Sequence, residues 1–544
     1  MAVSQGQHLA FLALAAGVTV HLGVFKHGEW HLHGPHIIVS HLAVGGVVLY
    51  YLSRLGDSTA EAIGRLSVLA LAYLGGLFSS MTIYRLYFHR LSSFHGPKLA
   101  AVSKFWHVWH IRDSSNYLFQ QKILKEYGTI VRTGPNEITV FHPAAFELLD
   151  GFGNDTTRDI WYDIVRPRTS AIFTRDKAEH KEGRKFWAQG LSNKAMNEYS
   201  PRVTSLAQDL SECIGSFDKN IVDVGQVMSW YSWDVMGDVL FGEDFGLTRA
   251  KQTHPGIEHR DRALALAGPL GDTIWIALLG FQIMPPVGRV NDWRHMIQFC
   301  EDHMWQRLKR GGNGKTDMAT YFIEEYENTA KTKTQKTRDL HLGGTAATAV
   351  VAGSDTTRAV LIVIWWFLSK YPEHAQKIQA EVSGVDVNDP NALAALPHLN
   401  GVIHESLRLV PPVMTGGGRI TGPNGMLIDD VLIPPGVKVT CPKYVVHRME
   451  SLWVRPNDFI PERWYSQPEL ILDKRAYAPF SIGARLCLGK NLTIVALRLV
   501  IGIILHNYDV SFAPGYDEET MWRDMKDQVT CQPGALLCTF KPRG

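Results

Sequence analysis

The sequence predicts a mainly α-helical body with a minor β-sheet domain, preceded by N-terminal transmembrane helices. Three observations predict it. Three apolar stretches crowd the first ninety of 544 residues. The texture from about residue 201 to 377 is long and helical, with one more regular helix near the C-terminus. Two short strand-like zones surround a Gly-Pro turn and a Pro-Pro-Gly break.

The apolar stretches are residues 9–25, 37–52 and 66–84. A hydrocarbon core of ~30 Å needs ~20 helical residues, so the third fits while the first two are short and contain His21 and His41. Arg85, Arg90, Lys98 and Lys104 come directly after the third stretch and place the rest of the chain on the cytosolic side. Residues 1–91 are therefore read as a membrane anchor of one to three helices, and 92–544 as a separate body. The loop carrying His27, Trp30, His31, His33 and His36 reads as interfacial, with the tryptophan at headgroup depth, in preference to a metal site.

Charge and cysteine usage exclude other classes. Lys+Arg 55 against Asp+Glu 53 leaves a net charge of +2, with no concentrated basic face for nucleic acid. Six cysteines without paired spacing argue against a disulfide framework or a zinc knuckle, and for a reducing compartment.

The body starts at the break Phe94-His-Gly-Pro-Lys-Leu99. Residues 127–140 read as two short strands around Gly134-Pro135, and residues 426–446 as a second β zone broken by Pro434-Pro-Gly436. The last helix is expected from about 489 to 506.

The strongest signal is Phe480-Ser-Ile-Gly-Ala-Arg-Leu-Cys-Leu-Gly489. Each position has a use if Cys487 ligates a haem iron. Gly483 and Gly489 allow a tight turn and close approach to a porphyrin. Arg485 offers a fixed cation to a propionate, and Phe480 shields the sulfur from water. The helix beginning just after the cysteine aims its N-terminal dipole at the sulfur. A buried structural cysteine before a helix is the bland alternative.

This segment resembles the haem-binding signature of cytochromes P-450, and the likeness runs from about residue 94 to 544, to fungal microsomal members in particular. The resemblance implies a haem-thiolate catalytic domain carrying haem b on the Cys487 thiolate, which favours O–O cleavage. It assigns Glu405, Arg408 and Arg463, in Glu405-Ser-Leu-Arg408 and Pro461-Glu-Arg-Trp464, to a buried charge triad, with His447-Arg448, Trp453, Pro456 and Phe459 leading into it. In Ala352-Gly-Ser-Asp-Thr-Thr357 it makes Gly353 loosen the helix over the iron, Thr356 hold water and dioxygen, and Asp355 help admit protons. The bland reading there is hydroxyls bonded back to the helix. His180 and Arg184 match propionate ligands, and Arg419, just past the glycine run 416–418, matches another.

The implied activity is insertion of one oxygen atom from O2 into a small lipophilic molecule, with electrons from a membrane-bound NADPH-cytochrome reductase docking near Lys181, Lys185 and Lys490. The expected setting is the endoplasmic reticulum membrane, with the catalytic domain facing the cytosol. The fungal likeness favours a secondary metabolite. Substrate-facing segments are expected at 161–173, 349–353, 413–416 and 532–537, where Arg166 and Arg168 would either read an acidic group or sit at the surface. A haem-thiolate isomerase or dehydratase needing no external electrons and a non-catalytic membrane haem protein are the rivals.

Overall fold

The computed structural model describes residues 2–217, 221–285, 287–312 and 314–543. Three apolar helices come first. Ala2–Val20 runs on into a π-helical turn, His21–Phe25; Gly34–Arg54 is the second; Thr59–Ile83 ends in another π turn, Tyr84–Phe88. All three have the length and hydropathy to cross a membrane. The first two looked short in sequence because polar residues flank each apolar run, yet those residues continue the same backbone hydrogen bonding. The first and third pack backbone to backbone: a Cβ on Gly17 would fall 2.1 Å from the Tyr73 carbonyl oxygen, and one on Gly76 2.1 Å from that of Leu14. Glycine is required at both.

Two further helices among the described residues, Gln335–Lys370 and Lys490–Asn507, also have the length and hydropathy to span a membrane, but 78% and 61% of their apolar windows are buried inside the body. The corresponding values for the N-terminal three are 6–11%. The same composition therefore serves two solvents, a protein core and the exposed face that a membrane anchor needs.

Gln335–Lys370 is the spine of the body. Its residues 360–368 are buried on every side, against Val224–Met236 and the C-terminal sheet, with Trp365 completely enclosed. A five-stranded sheet has the order Ile130–Gly134, Glu137–Val140, Lys438–Thr440, Arg419–Ile420, Thr157–Arg158, in which only the pairing of Glu137–Val140 with Lys438–Thr440 is parallel. The first expected strand zone lies in it, and so does Lys438–Thr440 of the second, whose Met426–Ile428 and Val431–Ile433 pair apart as a hairpin. Ile221–Asp223, Leu537–Pro542 and Tyr508–Phe512 form a second sheet, and two hairpins complete the sheets of the described residues. The last helix starts at Lys490 and ends at Asn507, one residue from expectation at each end.

Glu405, Arg408 and Arg463 meet with no solvent exposure. The Glu405 carboxylate accepts from Arg408 Nε and Nη2 at 2.8 and 2.7 Å, from Arg463 Nε at 3.2 Å, from Trp464 Nε1 at 3.0 Å and from the Ile460 amide at 3.1 Å. The remaining guanidinium hydrogens cap the carbonyls of His447, Pro456, Val454 and Leu470. One carboxylate thus gathers an irregular chain that has almost no secondary structure of its own, and this holds the segment leading to Cys487 in place.

Candidate active site

Cys487 sits in a loop closed by its own amide, which donates to the Phe480 carbonyl at 2.8 Å. Gly483 has φ 60°, and a Cβ there would fall 2.1 Å from the Asp150 carbonyl oxygen, so conformation and space both require glycine. Gly489 is different. Its φ is −76°, and an added Cβ would meet only the Cys487 sulfur, at 3.9 Å. The tight turn expected of Gly489 is therefore not what it supplies. Its amide and that of Lys490 are directed at the sulfur from the start of the last helix. Burial pushes the Cys487 thiol up, while these two amides, Arg184 and Lys490 oppose it.

The sulfur opens on a cavity of about 510 Å³ that also receives Phe480, Arg485, His180, Arg184, Arg419 and Thr356. One side of this cavity is a cationic rim. Arg485 Nη1 is buried with no hydrogen-bond partner, and so are Nε and Nη1 of Arg158, a residue that sequence reasoning missed. Burial, then the neighbouring guanidiniums, pushes Arg485 down to about 10; burial likewise pushes Arg158 down to about 9, opposed by Tyr162 beneath it. His180 is held neutral, its pKa lowered to about 3 by burial and then by Arg485 and Arg158. Arg184 donates to the Leu486 carbonyl at 2.8 Å, bracing the cysteine loop. Arg419 also lines the cavity, but its guanidinium is taken: Asp150 Oδ1 accepts from Nε at 2.8 Å, and Tyr162 and the Gly417 and Gly418 carbonyls accept from Nη1. Arg158, rather than Arg419, has free donors to offer.

Orphaned buried guanidinium donors are costly, and they mark the place of an anion. A flat apolar ring system with two carboxylates and a metal that takes a thiolate matches this donor set: sulfur on one wall, cations along one edge, apolar side chains elsewhere. The residues fit haem.

Opposite the cysteine runs the spine helix. Thr356 faces the cavity, its hydroxyl donating to the Ala352 carbonyl at 2.6 Å. Asp355, one residue earlier, is turned by about 100° and points into the protein. Among the described residues it is not a cavity wall. Its carboxylate accepts from the Thr530 hydroxyl and, at 2.8 Å, from Gln532 Nε2, with Arg358 and Arg260 at 3.5 and 3.8 Å. Thr530 does line the cavity. Asp355 therefore communicates with it through Thr530. Gly353 lies in an unbroken α-helix of 36 residues, so no loosening is visible there; a Cβ would strike Met236 Sδ at 2.3 Å, and close helix packing accounts for the glycine.

The remaining wall is largely apolar, with Trp161, Ile164, Phe173, Met236, Val351 and Val413 among its members and polar side chains such as Asn116, Gln120 and Asp527 between them. One expectation for this wall fails, and one open choice is resolved. Arg166 and Arg168 do not face the cavity: Arg166 pairs with Asp163 at 2.7 Å, and Arg168 holds Glu301 through two bonds of 2.5 and 2.9 Å. Asp163, three residues before it, neutralises Arg166, and the distant Glu301 neutralises Arg168. The C-terminal contribution comes from Asp527, Val529 and Thr530 in the hairpin Lys526–Gln528 and Thr530–Gln532, rather than from 532–537, because the hairpin tip is what reaches inward.

Outside this cavity, His374, His398 and Glu462 are close enough to hold a cation. They already form a satisfied chain. His374 Nδ1 is 3.1 Å from His398 Nε2, His398 Nδ1 is 2.9 Å from the Tyr465 hydroxyl, and Lys377 donates to Glu462 at 2.6 Å. An ammonium on that carboxylate does the work of a cation.

The fold and the site together define a haem-thiolate protein. Comparison with known proteins gives the family. The cytochrome P450 family model matches residues 96–539. Tryprostatin B 6-hydroxylase of Aspergillus fumigatus is 30% identical over 534 residues, covering 95% of this chain and 94% of its own length. The cytochrome P450 monooxygenase lcsK of Purpureocillium lilacinum is 32% identical over 542 residues, 98% of each chain. The cytochrome P450 monooxygenase sthD of Phaeosphaeria nodorum is 31% identical over 481 residues, 87% of this chain and 99% of its own. The chain belongs to the cytochrome P450 family. It is a monooxygenase that binds haem through a cysteine and works with O2, a redox partner and a lipophilic substrate.

Proposed function

We propose that this monooxygenase hydroxylates a small lipophilic molecule of fungal secondary metabolism at the endoplasmic reticulum membrane, with residues 1–91 as anchor and 92–544 as the catalytic domain facing the cytosol. Cys487 is the iron ligand. Arg158, Arg485, Arg184 and His180 hold the carboxylates of the haem, while Arg419 acts at one remove by fixing Asp150 and Tyr162. The observation that carries this reading is the coincidence, in one cavity, of the Cys487 sulfur with the unpartnered donors of Arg158 and Arg485.

When bound, haem supplies activation of O2 and oxidation of the substrate. The side chains supply the rest. The Gly489 and Lys490 amides and Arg184 favour the thiolate form of Cys487. Thr356 presents its hydroxyl to water and O2 in the cavity. The Asp355–Thr530 contact passes protons from a charged interior network to the cavity wall, and Gln532 orients the carboxylate. Trp161, Ile164, Phe173 and Met236 exclude bulk water and orient a lipophilic substrate.

Electrons come from a membrane-bound NADPH-cytochrome reductase docking on the face that carries Lys181, Lys185 and Lys490. All three are exposed, and the helix of the first two touches the cysteine loop through Arg184. The relative named as a 6-hydroxylase supports carbon hydroxylation as the outcome. Membranes containing the protein, incubated with reductase, NADPH and isotopically labelled O2 in fungal extract, should yield products carrying one labelled oxygen. Absence of label from every product of a CO-competent preparation would defeat the proposal.

A further inference from the structure

The loop between the first two apolar helices, residues 26–33, folds onto the catalytic body. His31 and Asp163 are both buried, their side chains 5% and 4% exposed, and His31 Nε2 lies 2.8 Å from Asp163 Oδ2. Two residues before His31, Glu29 accepts both Arg175 Nη atoms, at 2.7 and 2.6 Å. Arg175 Nη1 also reaches Asp163 Oδ2, at 3.1 Å, and Arg166 Nε holds the other oxygen at 2.7 Å. Leu32 packs on the cluster of Ile164, Ala267 and Ile274. The contact therefore combines a buried charge-assisted hydrogen bond, a bidentate ion pair and apolar packing. Burial alone would raise Asp163; His31, Arg166 and Arg175 together hold it at about 2.

Asp163 belongs to the 3-10 segment Ile160–Val165, whose Trp161, Tyr162, Ile164 and Val165 form part of the cavity wall. The segment is a short 3-10 stretch: Ile164 packs in an apolar cluster, Tyr162 accepts from Arg419, and its one carboxylate, Asp163, is held by His31, Arg166 and Arg175. The side from which the loop arrives is also consistent: if the second and third helices cross a membrane, they carry the chain out and back, so residues 26–33 and the body emerge on one face.

We infer that the anchor loop is a clamp on the ligand cavity: through His31 and Glu29 it holds Ile160–Val165 closed and sets how fast large ligands pass. His31 is thus a positioning residue, acting through Asp163. The inference rests on the reading of this cavity as the haem and substrate site.

The test uses full-length holoprotein in lipid nanodiscs and two haem-binding probes followed by their Soret shift in stopped flow, imidazole and the bulky azole clotrimazole. His31→Ala should raise both association and dissociation rates of clotrimazole about tenfold, as expected for losing one buried charge-assisted bond. Imidazole rates should stay within about twofold, and His31→Gln, which keeps a donor, should restore wild-type behaviour. Glu29→Gln, at a half-exposed pair, should produce a smaller change in the same direction. Clotrimazole rates that do not move in His31→Ala or Glu29→Gln, or that move equally with those of imidazole, would overturn the clamp. A wild-type protein giving no Soret shift with either azole would instead overturn the haem reading, and the clamp with it.

Discussion

Replacing Arg158 by leucine should make the haem-depleted protein more stable and weaken its hold on haem. Arg158 is 6% exposed, and two of its guanidinium nitrogens have no partner. Its pKa, pushed down to about 9, measures the burden: keeping the charge costs on the order of 4–5 kcal/mol relative to the unfolded chain. The sign comes from linkage. A base whose folded pKa is depressed carries the full penalty below that value, hence throughout the neutral range. Leucine removes the charge, and with it the guanidinium carbon that lies 4.4 Å from the centre of the Tyr162 ring. Part of the gain is returned as a cavity, leaving about 1–3 kcal/mol. With haem present that gain is offset, because a charge-assisted bond to a carboxylate contributes about 1.5–3 kcal/mol, or roughly 10–100-fold in affinity. The assay pairs melting temperatures of haem-depleted protein with the rate of haem loss to excess apoglobin. A melting temperature that falls in the haem-depleted Arg158→Leu protein, with unchanged haem loss, would refute the reasoning.

Glu405→Gln should cost about 3–5 kcal/mol, because it leaves Arg408 and Arg463 buried with an uncharged partner; urea titration of the holoprotein measures it, and a loss under about 1 kcal/mol would contradict the triad's role. Cys487→Ser should abolish the thiolate-type Soret band of the reduced carbon monoxide complex, read directly in difference spectra. Reversing the charge of Lys181 and Lys185 together should lower reductase-supported turnover several-fold and leave peroxide-supported turnover near wild type. Stability should fall as pH drops below 6.5. Burial holds His398 and His404 at about 4, so the unfolded chain takes up protons first and the loss accumulates between 6.5 and about 4; melting temperature against pH shows it.

Several parts of this architecture are local, and the sequence carries them openly. The cysteine loop spans ten consecutive residues. Its geometry depends on Gly483 and on a helix beginning beside it, so the spacing of letters is itself the three-dimensional information. The hairpin of residues 130–140 is equally self-contained, paired across the Pro135-Asn136 turn. Glu405 and Arg408 share a helix face three residues apart, and only Arg463 had to be brought in from elsewhere.

The rest was set by distant partners. An arginine reads the same in sequence whether it stands in water, in an ion pair or unpartnered in a cavity. Arg168 read equally as a substrate reader or a surface charge, and Glu301, 133 residues away, holds it, whereas Arg158 gave no signal and has the free donors. Asp355 and Thr356 are adjacent, but the helical turn between them puts one in the interior and one in the cavity; the carboxylate's partners, Thr530 and Gln532, come from a hairpin 175 and 177 residues on. By itself the sequence pointed to the candidate iron ligand and the apolar N-terminal helices, and its resemblance to a family implied the class of reaction, because each is carried by consecutive residues or by short-period patterns. Only the tertiary structure decided which cations remain free for the cofactor, which way the acid faces, and that the anchor loop reaches Asp163, because burial and pairing depend on what the folded chain places within a few ångströms.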